Sequence, residues 1–169
     1  MRIALAITLL LALGRVAFAD DPPAGDQSRG DKGVFGIGVV LGEPTGVSAK
    51  LYLRDDRAID LGVGEAFAAS GLDVHGDYLF HPWILQNRDT FVLPVYLGPG
   101  LRFLDYAGGA DAPSHIGLGL RGVVGILFDF KSVPLDVFLE GAIIGQYDFK
   151  SGNGFGIGGS AGAGVRYYF

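Results

Sequence analysis

At 169 residues, with 49% hydrophobic and only 18% charged side chains, 29 glycines and a formal net charge of −5, the chain has the size of one domain. Its composition suits a sheet-rich or membrane-embedded protein better than an average soluble one. The acid excess argues against nucleic acid as a partner, and the absence of cysteine excludes a disulfide, a thiol nucleophile, a thiolate metal site and a lipid-modified N-terminal cysteine.

The first segment is a short positive start, Met1-Arg2, followed by an apolar run over residues 3–13 and by Ala17-Phe18-Ala19, an A-x-A cleavage pattern. These features predict a signal peptide over 1–19, cut before Asp20. The run has 11 residues, where a spanning helix needs about 20, and Arg15 interrupts its extension. Without Arg2 and Arg15, 11 basic residues face 18 acidic ones, about −7 for the mature chain. Residues 20–32, "DDPPAGDQSRGDK", are polar and rich in Pro and Gly without a period, which predicts a flexible tail. The Arg29-Gly30-Asp31 triplet within it matches an integrin-recognition pattern, but three common residues coincide often in such a tail, so no role is assigned to it.

From Gly33 onward the sequence alternates and turns, giving eight expected strands. The first, 33–41, sets Phe35, Ile37, Val39 and Leu41 against Gly36, Gly38 and Val40, and "GEPTG" turns it back. The second, 46–54, sets Val47, Ala49, Leu51 and Leu53 against Ser48, Lys50, Tyr52 and Arg54. The third, 58–67, opposes Ile59, Leu61 and Val63 to Asp60, Gly62 and Gly64, with Glu65 a charged misfit on the apolar side. The fourth, 73–82, opposes Val74, Tyr78 and Phe80 to His75, Asp77 and His81, and a turn is expected around "WILQNRD". In the fifth, 91–103, Pro94 and Pro99 cannot donate ladder hydrogen bonds, so a bulge or local break is expected there. The sixth (115–128), seventh (135–147) and eighth (155–169) follow the longest loop, "DYAGGADAPS", and the turn "KSGNG".

Each strand has one apolar face and one face of glycine, tyrosine and isolated charge. A soluble sandwich would carry many Lys, Glu, Thr and Ser on its polar face. Strands of about 9–11 residues with this alternation predict an all-β fold, an eight-stranded antiparallel up-and-down transmembrane β-barrel over 33–169. With the tail in the periplasm, Phe35, Phe80, Trp83, Phe91, Phe128, Phe130, Tyr167 and Phe169 fall at the periplasmic rim. Phe67, Phe103, Tyr106, Tyr147, Phe149 and Phe155 fall at the outer rim, so two aromatic girdles are expected.

The eight alternating strands and the terminal "VRYYF" ending on Phe169 resemble small bacterial outer-membrane barrels of the OmpA-like and OmpX-like kind. The segment "FGIGVVLGEPTGVSAKLYL" also resembles the first hairpin of a family of uncharacterised small outer-membrane barrels. The resemblance implies location in the bacterial outer membrane, contact with membrane lipid and lipopolysaccharide, and a monomer. It further implies insertion by the barrel-assembly machinery, which reads Tyr167 and Phe169 as part of an assembly signal. The expected outer loops are short, which tells against adhesion through large loops, though a role in the envelope or toward an extracellular ligand or host protein remains the expectation.

The chemistry-bearing residues fall on the inward side: Lys50, Arg102, Arg121 and Arg166 with Asp60, Asp77, Asp136 and Glu140. In a tube barely wide enough for side chains such charges must pair, so a lumen-filling ion-pair network is expected in preference to an ion-conducting path. A lipid A-modifying enzyme and a narrow channel are the alternatives; a soluble ligand-binding barrel is the alternative of another class and needs the opposite faces. Ser114 and His115 are adjacent on a strand and point to opposite faces, so they make no nucleophile–base pair. No catalytic, metal or cofactor site is assigned: the three histidines lack metal spacing, and the two G-x-G-x-x-G matches lack a strand-to-helix context.

Overall fold

The computed structural model describes residues 32–67, 71–106, 114–149 and 154–169. The expected signal peptide, nearly all of the expected tail and the Arg29-Gly30-Asp31 triplet lie outside these residues. Eight strands follow in chain order: β1 (Phe35–Gly42), β2 (Thr45–Arg54), β3 (Arg57–Ala66), β4 (Gly71–Asn87), β5 (Phe91–Tyr106), β6 (His115–Phe130), β7 (Leu135–Phe149) and β8 (Gly154–Tyr168). Each pairs antiparallel with the next, and β8 closes on β1, so the chain is an eight-stranded up-and-down barrel.

The register fixes the barrel's shape. A line carried through paired residues runs Gly36, Lys50, Asp60, Asp77, Gly100, Arg121, Ile144 and Gly158. On the last seam Gly162 pairs with Gly42, so Gly158 lies level with an extension of β1 to position 46. The line returns 46 − 36 = 10 residues higher, a shear of ten, which with eight strands gives a tilt of about 40° and a lumen that side chains can fill.

Inward and outward parities match the sequence pattern on all eight strands. The main differences lie in β4 and β5. The expected turn at "WILQNRD" is instead the end of β4, and the ladder slips twice, between Phe80 and Trp83 and between Ile84 and Gln86. The bulges sit on β4, opposite the stretch around Pro94, while β5 itself is unbroken, and Pro99 keeps register with Gly122. Pro82 is tolerated because it falls inside the first slip: His81 N–H still donates to Asp56 C=O on the β3 side, so Pro82 N faces β5, where the ladder is interrupted between Phe80 and Trp83. The expected end of the tail also differs. Lys32 reaches into the mouth of the barrel, where its ammonium contacts the Asp129 carboxylate and donates to the Leu135 carbonyl at 3.0 Å.

Lumen-facing glycine supplies volume to its neighbours. A Cβ on Gly125 would stand 2.3 Å from the Tyr96 ring, one on Gly164 2.4 Å from Phe138, and one on Gly62 2.3 Å from His75. By contrast, a Cβ on Gly154, Gly156 or Gly158 would meet nothing within 4 Å among the described residues. Gly125→Val therefore lowers the chemical unfolding midpoint, by an overpacking cost of about 1–3 kcal/mol, whereas Gly156→Val leaves it level or raises it. Equal losses would show that these faces are packed alike.

Candidate functional site

The lumen holds a stack of cation-centred clusters, each built by side chains from facing strands. At the end that carries Lys32 and Phe169, the Arg166 guanidinium lies over the Phe138 ring, 3.7 Å from its centroid. Its Nε donates to Ser48 Oγ at 2.8 Å, its Nη2 donates to the Asp60 carboxylate, and its Nη1 stands 3.8 Å from Asp136. Tyr168 Oη donates to Asp136 at 2.5 Å. The aromatic and aliphatic members Tyr52, Ala58, Leu79, Leu127, Phe138 and Tyr168 surround these groups, so the ions are shielded from water.

Lys50 belongs to the same level. It faces Asp60 in register, but its Nζ lies 3.0 Å from His81 Nε2 and over the rings of Tyr52 and Tyr96, 4.7 and 4.9 Å from their centroids. With Lys50 as donor, Nε2 accepts, and Nδ1 is left to carry the hydrogen facing the Asp56 carbonyl at 3.4 Å. The ammonium is thus held by an imidazole and two ring faces as well as by the field of the acids around it.

The middle cluster is centred on Arg121. Its Nε donates to both oxygens of Asp77, at 3.1 and 2.9 Å, its Nη2 to Glu140 at 2.8 Å and its Nη1 to Ser160 Oγ at 3.1 Å. Tyr96 Oη donates to the second oxygen of Glu140 at 2.9 Å. Toward the loop end, Arg102 Nε donates to Asp73, whose other oxygen accepts from His75 Nδ1 at 2.8 Å. Arg102 also reaches Gln146 Oε1 at 3.3 Å, and Gln146 Nε2 donates to Tyr106 Oη and to Asp148, both at 2.6 Å.

The structure therefore joins seven of the eight expected network residues as ion pairs: Arg166 with Asp60 and Asp136, Arg121 with Asp77 and Glu140, and Arg102 with an acid that was not expected. The eighth, Lys50, is inward as expected, beside Asp60 in register, and its ammonium also meets an imidazole. Asp73 is the first residue of the expected fourth strand, a position where a side chain has no assigned face, whereas β4 begins two residues earlier. Its parity with His75 and Asp77 was the available signal. Tyr106 is corrected from girdle to lumen, where it stacks on His115 at 4.1 Å between ring centroids.

The His75–Asp73 pair has the hydrogen bond of a catalytic dyad, but the other edge of the ring packs against Gly62, where a nucleophile would have to stand. His115 stacks on Tyr106 and is not part of this pair. Among the described residues no group of His, Asp and Glu is arranged to hold a metal ion. No protein-family model matches the chain, and neither does any curated protein or solved structure.

Proposed function

We propose that the chain is an integral outer-membrane β-barrel of the OmpA-like and OmpX-like kind, with a side-chain-filled lumen and a structural or surface-interaction role through short extracellular loops. The observation that carries this reading is the inversion of its faces. Around the ring the outward positions are mainly aliphatic and aromatic, with Leu101 66%, Leu120 70% and Ile143 71% exposed and the charged Glu65 and Asp105 close to the loop end, while the inward positions hold the buried charges. An uninterrupted apolar belt far exceeds the patches that a monomer keeps in water, and it suits hydrocarbon.

The aromatic positions support the same reading. On β8, Phe155 and Tyr167 are twelve residues apart, about 40 Å along the strand, which a tilt of about 40° reduces to about 30 Å along the axis, enough for an apolar band with a girdle at each edge. Phe103, Tyr147, Phe149 and Phe155 stand outward near one end, and Phe35, Phe80, Phe128, Tyr167 and Phe169 near the other. We place the terminal end in the periplasm and the Glu43-Pro44 turn on the outer side. A soluble barrel carrying an apolar ligand needs the reverse faces.

Semi-native gel migration with and without heating, after membrane fractionation, tests the proposal. A compact, heat-shifted band in the outer-membrane fraction is expected; a heat-insensitive band in the soluble fraction would end it. The filled lumen gives a second expected result: in planar bilayers the protein shows no steady large conductance. Reproducible large openings would assign it to the channels.

A further inference from the structure

At the loop end six of the eight seams are paired up to their loop or turn, and the β1–β2 seam is paired to Val40↔Gly46, next to its hairpin. The last pairs of the six are Thr45↔Glu65, Ala66↔Gly71, Gly71↔Tyr106, Tyr106↔His115, Ile116↔Phe149 and Asp148↔Gly154. The β8–β1 seam differs. Its last pair is Gly42↔Gly162, and its last backbone bond runs from Glu43 N–H to Ala161 C=O at 2.9 Å. Beyond this point residues 154–160 pair with β7 alone, leaving about 23 Å of strand edge at ~3.3 Å per residue without a neighbour among the described residues.

The cause is the short β1–β2 hairpin. Gly42 turns the chain with φ 137°, a conformation that suits glycine, and Thr45 Oγ1 clamps it by accepting from Gly42 N–H at 3.0 Å and donating to Gly42 C=O at 2.9 Å. β1 therefore stops after 8 residues while β8 runs for 15. Ala161 stands six residues from Phe155 and six from Tyr167, so the gap occupies the loop half of the apolar belt.

Two further features mark this gap as an opening into the lumen. Gly154, Gly156 and Gly158 have lumen-facing parity yet look onto open space among the described residues, whereas the lumen-facing glycines of the closed wall are packed. And because Ala161 C=O points toward β1, the N–H and C=O groups of Gly159, Ile157 and Phe155 point the same way, into the gap.

We propose that the β8–β1 seam is a lateral portal through which a membrane amphiphile lays its acyl chain against the glycine face of β8, its polar head meeting the unpaired backbone groups of residues 155, 157 and 159. This rests on the outer-membrane reading. Hydrocarbon alone would leave those N–H and C=O groups unsatisfied, which a bilayer core does not permit. The gap is flanked on the bilayer side by Phe155, Ile157, Leu41 and Val39, all exposed, so the rest of the ligand is apolar. Residues 154–161 carry no charge, so an amide or hydroxyl head suits the edge better than an ion. A second copy does not suit it: antiparallel pairing of two β8 edges needs a two-fold axis normal to the sheet, which would set the copies in opposite senses across one membrane.

Tryptophan reporters in vesicles of phosphatidylcholine brominated on its acyl chains test the portal, in a Trp83→Phe background so that each variant has a single Trp. Ile157→Trp reports the bilayer face, Gly158→Trp the lumen behind the gap, and Phe138→Trp the lumen behind the closed wall. The expected result is loss of emission at 157 and a comparable loss at 158, with emission at 138 unchanged, relative to unbrominated vesicles. Loss at 157 alone, or equal loss at 158 and 138, would overturn the portal and leave the membrane reading intact. No loss at 157 would overturn the membrane reading, and the portal with it. Gly156→Trp, on the same open face, replaces Gly158→Trp if the heat-shifted band shows that the latter does not fold.

Discussion

Arg166→Met is expected to unfold at a much lower denaturant concentration than the parent, a loss of about 3–5 kcal/mol, because it strands two buried acids. Arg166 and Asp136 are almost wholly inaccessible, and Asp60 is nearly so. Replacing the guanidinium removes the cation that both acids share and leaves Asp60 hydrogen-bonded to Ser48 and Asp136 to Tyr168, with the single charge of Lys50 nearby, too little to hold two carboxylates away from water. The two arms are unequal. Nη2 touches Asp60, whereas Nη1 is 3.8 Å from Asp136, and both Nη1 and Asp136 Oδ1 lack a direct hydrogen bond. Asp60→Asn should therefore cost more than Asp136→Asn. The decisive comparison is the triple variant Arg166→Met, Asp60→Asn, Asp136→Asn, which removes the charges together and should recover most of the loss. If the triple variant were as weak as the single one, packing over Phe138 and not charge compensation would be what Arg166 supplies.

The architecture could be read from the sequence because a period of two leaves little freedom once one face is apolar: shifting a strand by one residue would turn Leu101, Phe103 and their neighbours inward and Arg102 out. The same logic placed Lys50, Asp60, Asp77, Arg102, Arg121, Asp136, Glu140 and Arg166 on one side of the wall. Partner choice was less accessible, since it depends on the shear. Arg121 of β6 reaches Asp77, two strands away, as well as Glu140 on its neighbour, and Arg166 of β8 crosses the lumen to Asp60 of β3. Neither could be derived before the register around the ring was known.

Strand ends were least legible. The stretch following Phe80 carries Pro82 and a run of polar residues that signal a turn, yet β4 continues to Asn87 by bulging against β5. The outward aromatic positions followed from parity, but Tyr106 is the last residue of its strand, where one step decides between the outward face and the lumen, and its bond from Gln146 draws it inward. The open seam had no signal at all in local pattern. It arises from the difference between an 8-residue strand and a 15-residue strand that are the first and last in the chain, and becomes neighbours only on closure.

Deleting Phe169 is expected to slow or misroute insertion while leaving the inserted barrel close to parental stability. The reason is the small number of native contacts the residue makes. Its N–H donates to Phe35 C=O at 2.9 Å, its ring meets Tyr167 edge-on at 5.0 Å between centroids, and its side chain is otherwise exposed on the outward face. One backbone bond and one exposed ring contact are worth about 1–2 kcal/mol together, against a ladder that closes β8 on β1 through seven other residue pairs. An assembly signal is different, because it is read before the barrel exists, when the last strand is still an unpaired alternating segment. The measurement is a pair: insertion into vesicles carrying the barrel-assembly machinery, followed by heat-shifted migration, and the unfolding midpoint of whatever inserts. Phe169→Trp should preserve both, and Phe35→Ala, which removes a ring at the same rim without touching the terminus, should leave insertion unchanged. Should the deletion lower the midpoint as severely as it delays insertion, or should Phe35→Ala delay insertion equally, Phe169 would be one more girdle residue and the terminal "VRYYF" would carry no address.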